Sequence, residues 1–114
     1  MNIEKRLISW LSGYGYDVYH RVPVERPDEF VTLQKETSSH GAGKIEYPCV
    51  AIQVWGTSDS SVSDTAEDIV KLIKFHLNEQ DDISVKGITG AYDYFDDDSK
   101  TPRYQIVLDL VTTS

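Results

Sequence analysis

Little in this chain offers covalent or catalytic chemistry. A single cysteine, Cys49, stands among 114 residues, so no intrachain disulfide can form. That agrees with a reducing compartment. No run of 18 apolar residues is present, so no membrane-spanning helix is expected. No apolar segment follows Met1-Asn2-Ile3-Glu4-Lys5-Arg6, and no secretory signal is expected either. Basic residues are scarce: 11 Lys and Arg against 19 Asp and Glu give a net charge of −8. Such a surface repels phosphate, which disfavours sequence-neutral nucleic-acid binding, and it favours solubility.

Catalytic and metal signatures are missing as well. His20, His40 and His76 are scattered, with no HxxxH or CxxC spacing that would gather them around zinc. The acidic run Asp93 to Asp98 lacks the alternating ligands, central glycine and distal glutamate of a calcium loop. Ser58, Ser60, Ser61 and Ser63 sit where turn and capping chemistry accounts for them, and no GxSxG elbow occurs. His40-Gly41-Ala42-Gly43-Lys44 does not have phosphate-loop spacing. No catalytic residue, cofactor or metal is therefore expected.

What the chain does have is patterning for one domain over residues 1–114. Ile3, Leu7, Ile8 and Leu11 share one helical face, with Asn2 as N-cap and Gly13 at a left-handed C-cap position. Tyr16 to Val22 reads as a strand. Pro23 and Pro27 bracket a turn or edge, because proline lacks the ladder donor. Phe30 to Lys35 is a second strand, and polar, glycine-bearing Glu36 to Glu46 reads as a long hairpin loop. Cys49 to Trp55 is apolar on both faces, as a central strand would be. Beyond a Gly56 to Ser61 turn, Val62, Ala66, Ile69, Val70, Ile73 and Leu77 form a helical stripe capped by Ser61 or Ser63. Ile83 to Tyr92 is a strand bent at Gly87 and Gly90. Arg103 to Thr113 alternates, with Tyr104, Ile106, Leu108 and Leu110 facing in. The order α-β-β-β-α-β-β predicts an α+β fold, a single mixed or antiparallel sheet with two helices packed on one face.

Several stretches form an ordered pattern: Arg21-Val22-Pro23, Arg26-Pro27-Asp28-Glu29-Phe30-Val31, Tyr47-Pro48-Cys49-Val50-Ala51-Ile52-Gln53-Val54-Trp55-Gly56, Ser58, Ala66-Glu67-Asp68-Ile69-Val70 and Pro102-Arg103-Tyr104-Gln105-Ile106. In this set the chain resembles the tail terminator, or tail completion, proteins of bacteriophages with long non-contractile tails. It departs from them after Val31, where a short Thr-Gly-Gly-like element is replaced by Glu36 to Lys44. The resemblance implies a non-enzymatic structural protein of the virion tail, assembled in the host cytoplasm. It would form a homohexameric ring on the tail tube protein, end tube polymerisation, and present a surface to the head-completion or connector protein. DNA would pass through the lumen without specific binding. On this reading Arg26 and Phe30 in the proline turn, Trp55, His40 and Lys44 in the long loop, and Asp96, Asp97 and Asp98 in the acidic hairpin are candidate interface residues, the three aspartates as candidates for the lumen. A second expectation, from charge and aromatics alone, is a small acidic binding or inhibitor module, immunity-like, that covers a basic partner.

Overall fold

The computed structural model describes residues 1–113. Helix α1 spans Ile3–Ser12, and Asn2 caps it by accepting from the Lys5 N–H at 3.0 Å. Gly13 stays in the right-handed region, at φ −62. The left-handed turn falls two residues later, at Gly15, with φ +94. Gly13 is thus the C-cap, as expected, but in a right-handed conformation, and the left-handed residue is Gly15 in the tight turn that follows.

Six strands follow: β1 Val18–Tyr19, β2 Phe30–His40, β3 Ile45–Trp55, β4 Ile83–Ile88, β5 Tyr92–Asp93 and β6 Arg103–Thr113. Helix α2, Asp59–His76, and a single 3₁₀ turn, Leu77–Glu79, separate β3 from β4. They form one mixed sheet in the order β1-β2-β3-β6-β4, with β5 also on β6. Among the described residues only the β1–β2 pairing is parallel. The fold is α+β, with the element order read from the sequence. Four details differ. Tyr16 to Val22 contributes only a two-residue strand, because Pro23 and the turn behind it draw the chain off the ladder. Glu36 to Glu46 is mostly strand: β2 and β3 pair to His40↔Glu46, and only Gly41 to Lys44 turns. Ile83 to Tyr92 is broken into β4 and β5, both on β6, with Thr89 Oγ1 accepting from the Val107 N–H at the break. Ser58, rather than Ser61 or Ser63, caps α2 by accepting from the Ser61 N–H.

Strand alternation builds the core. Leu33, Ile52 and Ile106 stand in register across β2, β3 and β6, flanked by Val31 with Val54 and Val50 with Leu108. These side chains meet Leu7 and Leu11 of α1 and Val62, Ala66, Ile69 and Ile73 of α2, all buried. The opposite face carries Thr32, Ala51, Gln53, Gln105 and Val107. Residues 20–29 return across part of it, placing Val22 over Thr32, Ala51 and Gln53. The bulge between Val85 and Gly87 matches the bend expected at Gly87. A second bulge, between Lys35 and Thr37, starts the outer half of the β2–β3 hairpin.

Candidate functional site

The strand ends at Phe30, Trp55 and Arg103 lie side by side, since Phe30↔Trp55 and Trp55↔Arg103 are register partners. Their side chains share the sheet face away from the helices. The Trp55 indole stacks on Phe30 at 5.6 Å between centroids and 8° between planes. Its N–H donates to Thr32 Oγ1 at 3.0 Å, in a buried setting. The Arg103 guanidinium lies 4.7 Å from the Trp55 ring centre and 4.5 Å from that of Tyr94, and its Nε donates to the Tyr94 carbonyl. Arg26 approaches the same indole at 5.4 Å. Guanidinium over an aromatic face is attracted by the ring quadrupole.

Residues next to these anchors shape the rest. Glu29 reaches α2, accepting from the Ser61 hydroxyl at 2.6 Å and from Thr65 at 2.5 Å. It thereby pins the proline turn to the first helical turns. Gly56 leaves no room for a side chain: a Cβ there would stand 2.6 Å from Val62 Cγ2. The acidic hairpin closes through paired backbone bonds between Asp96 and Thr101, and the Ser99 hydroxyl donates to Asp96 at 2.5 Å. That bond comes first among the causes that hold the Asp96 carboxyl below its usual range; burial opposes it, and Arg103 and Arg26 add to it from farther off. Lys100 completes the turn at φ 55, a left-handed conformation uncommon outside glycine.

Together these elements enclose a cleft of about 320 Å³ lined by Arg26, Asp28, Phe30, Thr57, Lys100 and Pro102, among others. Arg26 and Lys100 line it, Arg103 follows the lining Pro102, and among the described residues none of the three has a carboxylate within ion-pair distance. Arg26 makes only long contacts, 3.5 Å, to the Ser99 and Thr101 hydroxyls.

The candidate interface residues divide accordingly. Arg26, Phe30 and Trp55 come together here with the acidic hairpin. Phe30 and Trp55 are 3 % and 4 % exposed, so they shape the cleft from beneath and offer almost no surface. Asp97 and Asp98 are exposed, whereas Asp96 is half-buried and tied into the hairpin. His40 and Lys44 lie on the β2–β3 hairpin at the far end of the sheet, exposed and apart from this cluster. Lys100, Arg103 and Tyr94 were not among the expected interface residues. The Pro102-Arg103 pair signalled one of them, while no sequence signal marks the left-handed Lys100.

Elsewhere, Tyr14, Tyr16, Leu72 and Phe75 line an open groove of about 400 Å³ between α2 and the turn after α1, with Phe75 69 % exposed. Cys49 is half-buried, and burial, followed by the nearby Asp109, pushes its thiol up, away from the reactive thiolate. Among the described residues no cluster of three or more His, Cys, Asp or Glu could hold a metal ion, and no helix is long and apolar enough to cross a membrane. No protein-family model, curated protein or solved structure matches the chain.

Proposed function

We propose that this chain is a non-enzymatic structural protein of a phage tail, a tail terminator that closes the end of the tail tube as a homohexameric ring. The ring stops tube growth and offers the next surface to a head-completion or connector protein. One observation supports the reading above others. Stretches distant in sequence but joined in the resemblance, Arg26 to Phe30, Trp55-Gly56, Ser58 and Pro102-Arg103, meet as one packed cluster at one end of the sheet. The parts of the pattern converge at one end of the fold, where buried Phe30 and Trp55 support exposed Arg26 and Asp28, a surface suited to a repeated contact between subunits.

The mechanism is assembly. A heterologous contact, the same two patches on every copy, closes into a ring when its rotation closes. With a net charge of −8 on each subunit, the assembled surface repels the phosphate backbone, and DNA passes without adhering.

Light scattering over a concentration series, with negative-stain imaging of the protein alone and mixed with tail tubes, tests the reading. Six-fold rings, free or at tube ends, are the expected result. A strict monomer that ignores tubes and binds a basic protein tightly would favour the acidic inhibitor instead.

A further inference from the structure

The cationic cleft is out of keeping with the rest of the molecule. In a chain of net charge −8, Arg26 and Lys100 line one depression in which Asp28 is the carboxylate, while Arg103 lies beside it against Trp55 and Tyr94 and Asp96 is tied into the hairpin. Like charges crowded without a partner raise the free energy of the folded chain. Here the crowding is built in. Arg26 and Arg103 are steered by the Trp55 ring, and Lys100 is held in a left-handed conformation. A carboxylate in the cleft would meet an Arg26 guanidinium already drawn to the Trp55 ring, so less side-chain freedom would be lost there on binding.

Resting on the ring reading above, we propose that this cleft receives the acidic hairpin of the adjoining copy, with Asp97 and Asp98 facing Arg26 and Lys100 across the subunit seam. Three observations favour this occupant. Asp97 and Asp98 are exposed and have no cation within ion-pair distance among the described residues. The hairpin sits at the same end of the sheet as the cleft, so the two stand at one level when copies share an axis. The other acidic loop, Asn78 to Asp82, lies at the opposite end, and its Asp82 already accepts from both terminal guanidinium nitrogens of Arg6. The proposal moves Asp97 and Asp98 from the lumen to the seam. It also explains how copies that repel each other at long range are held at contact, since opposite charges pair where they are desolvated.

The test uses the full chain. Equal amounts of ¹⁵N-labelled and unlabelled protein are assembled, treated with a carbodiimide that joins carboxylates to lysine, and digested for mass spectrometry. Mixed-isotope peptides linking Lys100 to Asp97 or Asp98 are expected. Mixed-isotope links at other positions in a preparation that does form rings would overturn the cleft assignment and leave the ring standing. No mixed-isotope links, in a protein that stays monomeric with tubes present, would overturn both.

A charge exchange supplies the second arm. Lys100→Glu, alone and with Arg26→Glu, should weaken assembly about tenfold or more, and mixing with Asp97→Lys/Asp98→Lys protein should restore it. Lys100→Glu leaves the Trp55 stack intact, so a folded variant that assembles as well as wild type overturns the proposal.

Discussion

At Trp55 four neighbours are satisfied by one side chain. The ring face stacks on Phe30, its quadrupole draws Arg103 and Arg26, and its N–H donates to Thr32. The last bond is buried at both ends, with Thr32 5 % exposed. Thr32→Val keeps the shape and removes the acceptor, so it should cost about 1–3 kcal/mol, the desolvation penalty of an orphaned donor. Thr32→Ser keeps the hydroxyl and should lose less; urea titration of both variants separates the hydrogen bond from packing. One residue on, Gly56→Ala would press a methyl group onto Val62, 2.6 Å from its Cγ2. The start of α2 would have to shift, at roughly 1–3 kcal/mol, read from the same titration. The sequence marked Trp55 as the end of an apolar strand. It could not mark the Thr32 bond or the Arg26 contact, because both partners come from elsewhere in the chain and depend on the β2–β3 register.

Among elements, the alternating apolar strands and the amphipathic helices were legible because burial on one face leaves a period in the sequence. The outer hairpin was not. From Glu36 to Glu46 both faces are polar and largely exposed, so no alternation remains, and only pairing along the ladder makes these residues strand. What fastens the helices to that sheet is partly ionic. Glu4 of α1 accepts from the Lys35 N–H at 2.9 Å and from His20 Nε2 at 2.7 Å; a carboxylate only accepts, so that ring nitrogen carries the proton. Burial pushes the Glu4 carboxyl up, but the Lys35 bond and His20 outweigh it and hold it below its ordinary value. Asp82 is lowered too, first by the Arg6 bond and against burial, and Asp96 by Ser99. Groups lowered on folding contribute stability that is complete above the unfolded carboxylate pKa and is lost as pH falls through the folded one. Urea midpoints should therefore hold steady from neutral pH to about 5 and fall below about 4. Glu4→Gln should flatten that fall. The acidic hairpin allows a different experiment. Lys100→Gly relieves a left-handed non-glycine residue and should stabilise by up to about 1 kcal/mol. If the cleft receives the neighbouring hairpin, the same change weakens assembly, so melting temperature and ring yield move in opposite directions.

For the whole molecule, shape and charge limit how copies can be arranged. The chain measures 44 × 25 × 22 Å. Its three long strands have 11 residues each and, at about 3.3 Å per residue, run about 36 Å, so the strands follow the long axis. The two ends of that axis differ. One carries the aromatic–arginine cleft and the acidic hairpin; the other carries the Gly41 to Lys44 turn and the acidic Glu79 to Asp82 loop. A ring with the long axis upright gives every copy the same end up. It then has two unlike faces, as a part joining two unlike partners must. Six equal cylinders packed around an axis leave a hole about one cylinder wide, so the ring should stand about 44 Å tall around an opening of about 25 Å. That opening is on the order of a DNA duplex, as the proposed function requires. Class averages from negative-stain or cryogenic imaging measure both dimensions. A ring of 25 Å height around a wider hole would mean that copies lie flat, and the cleft and hairpin would then no longer stand at one level between neighbours.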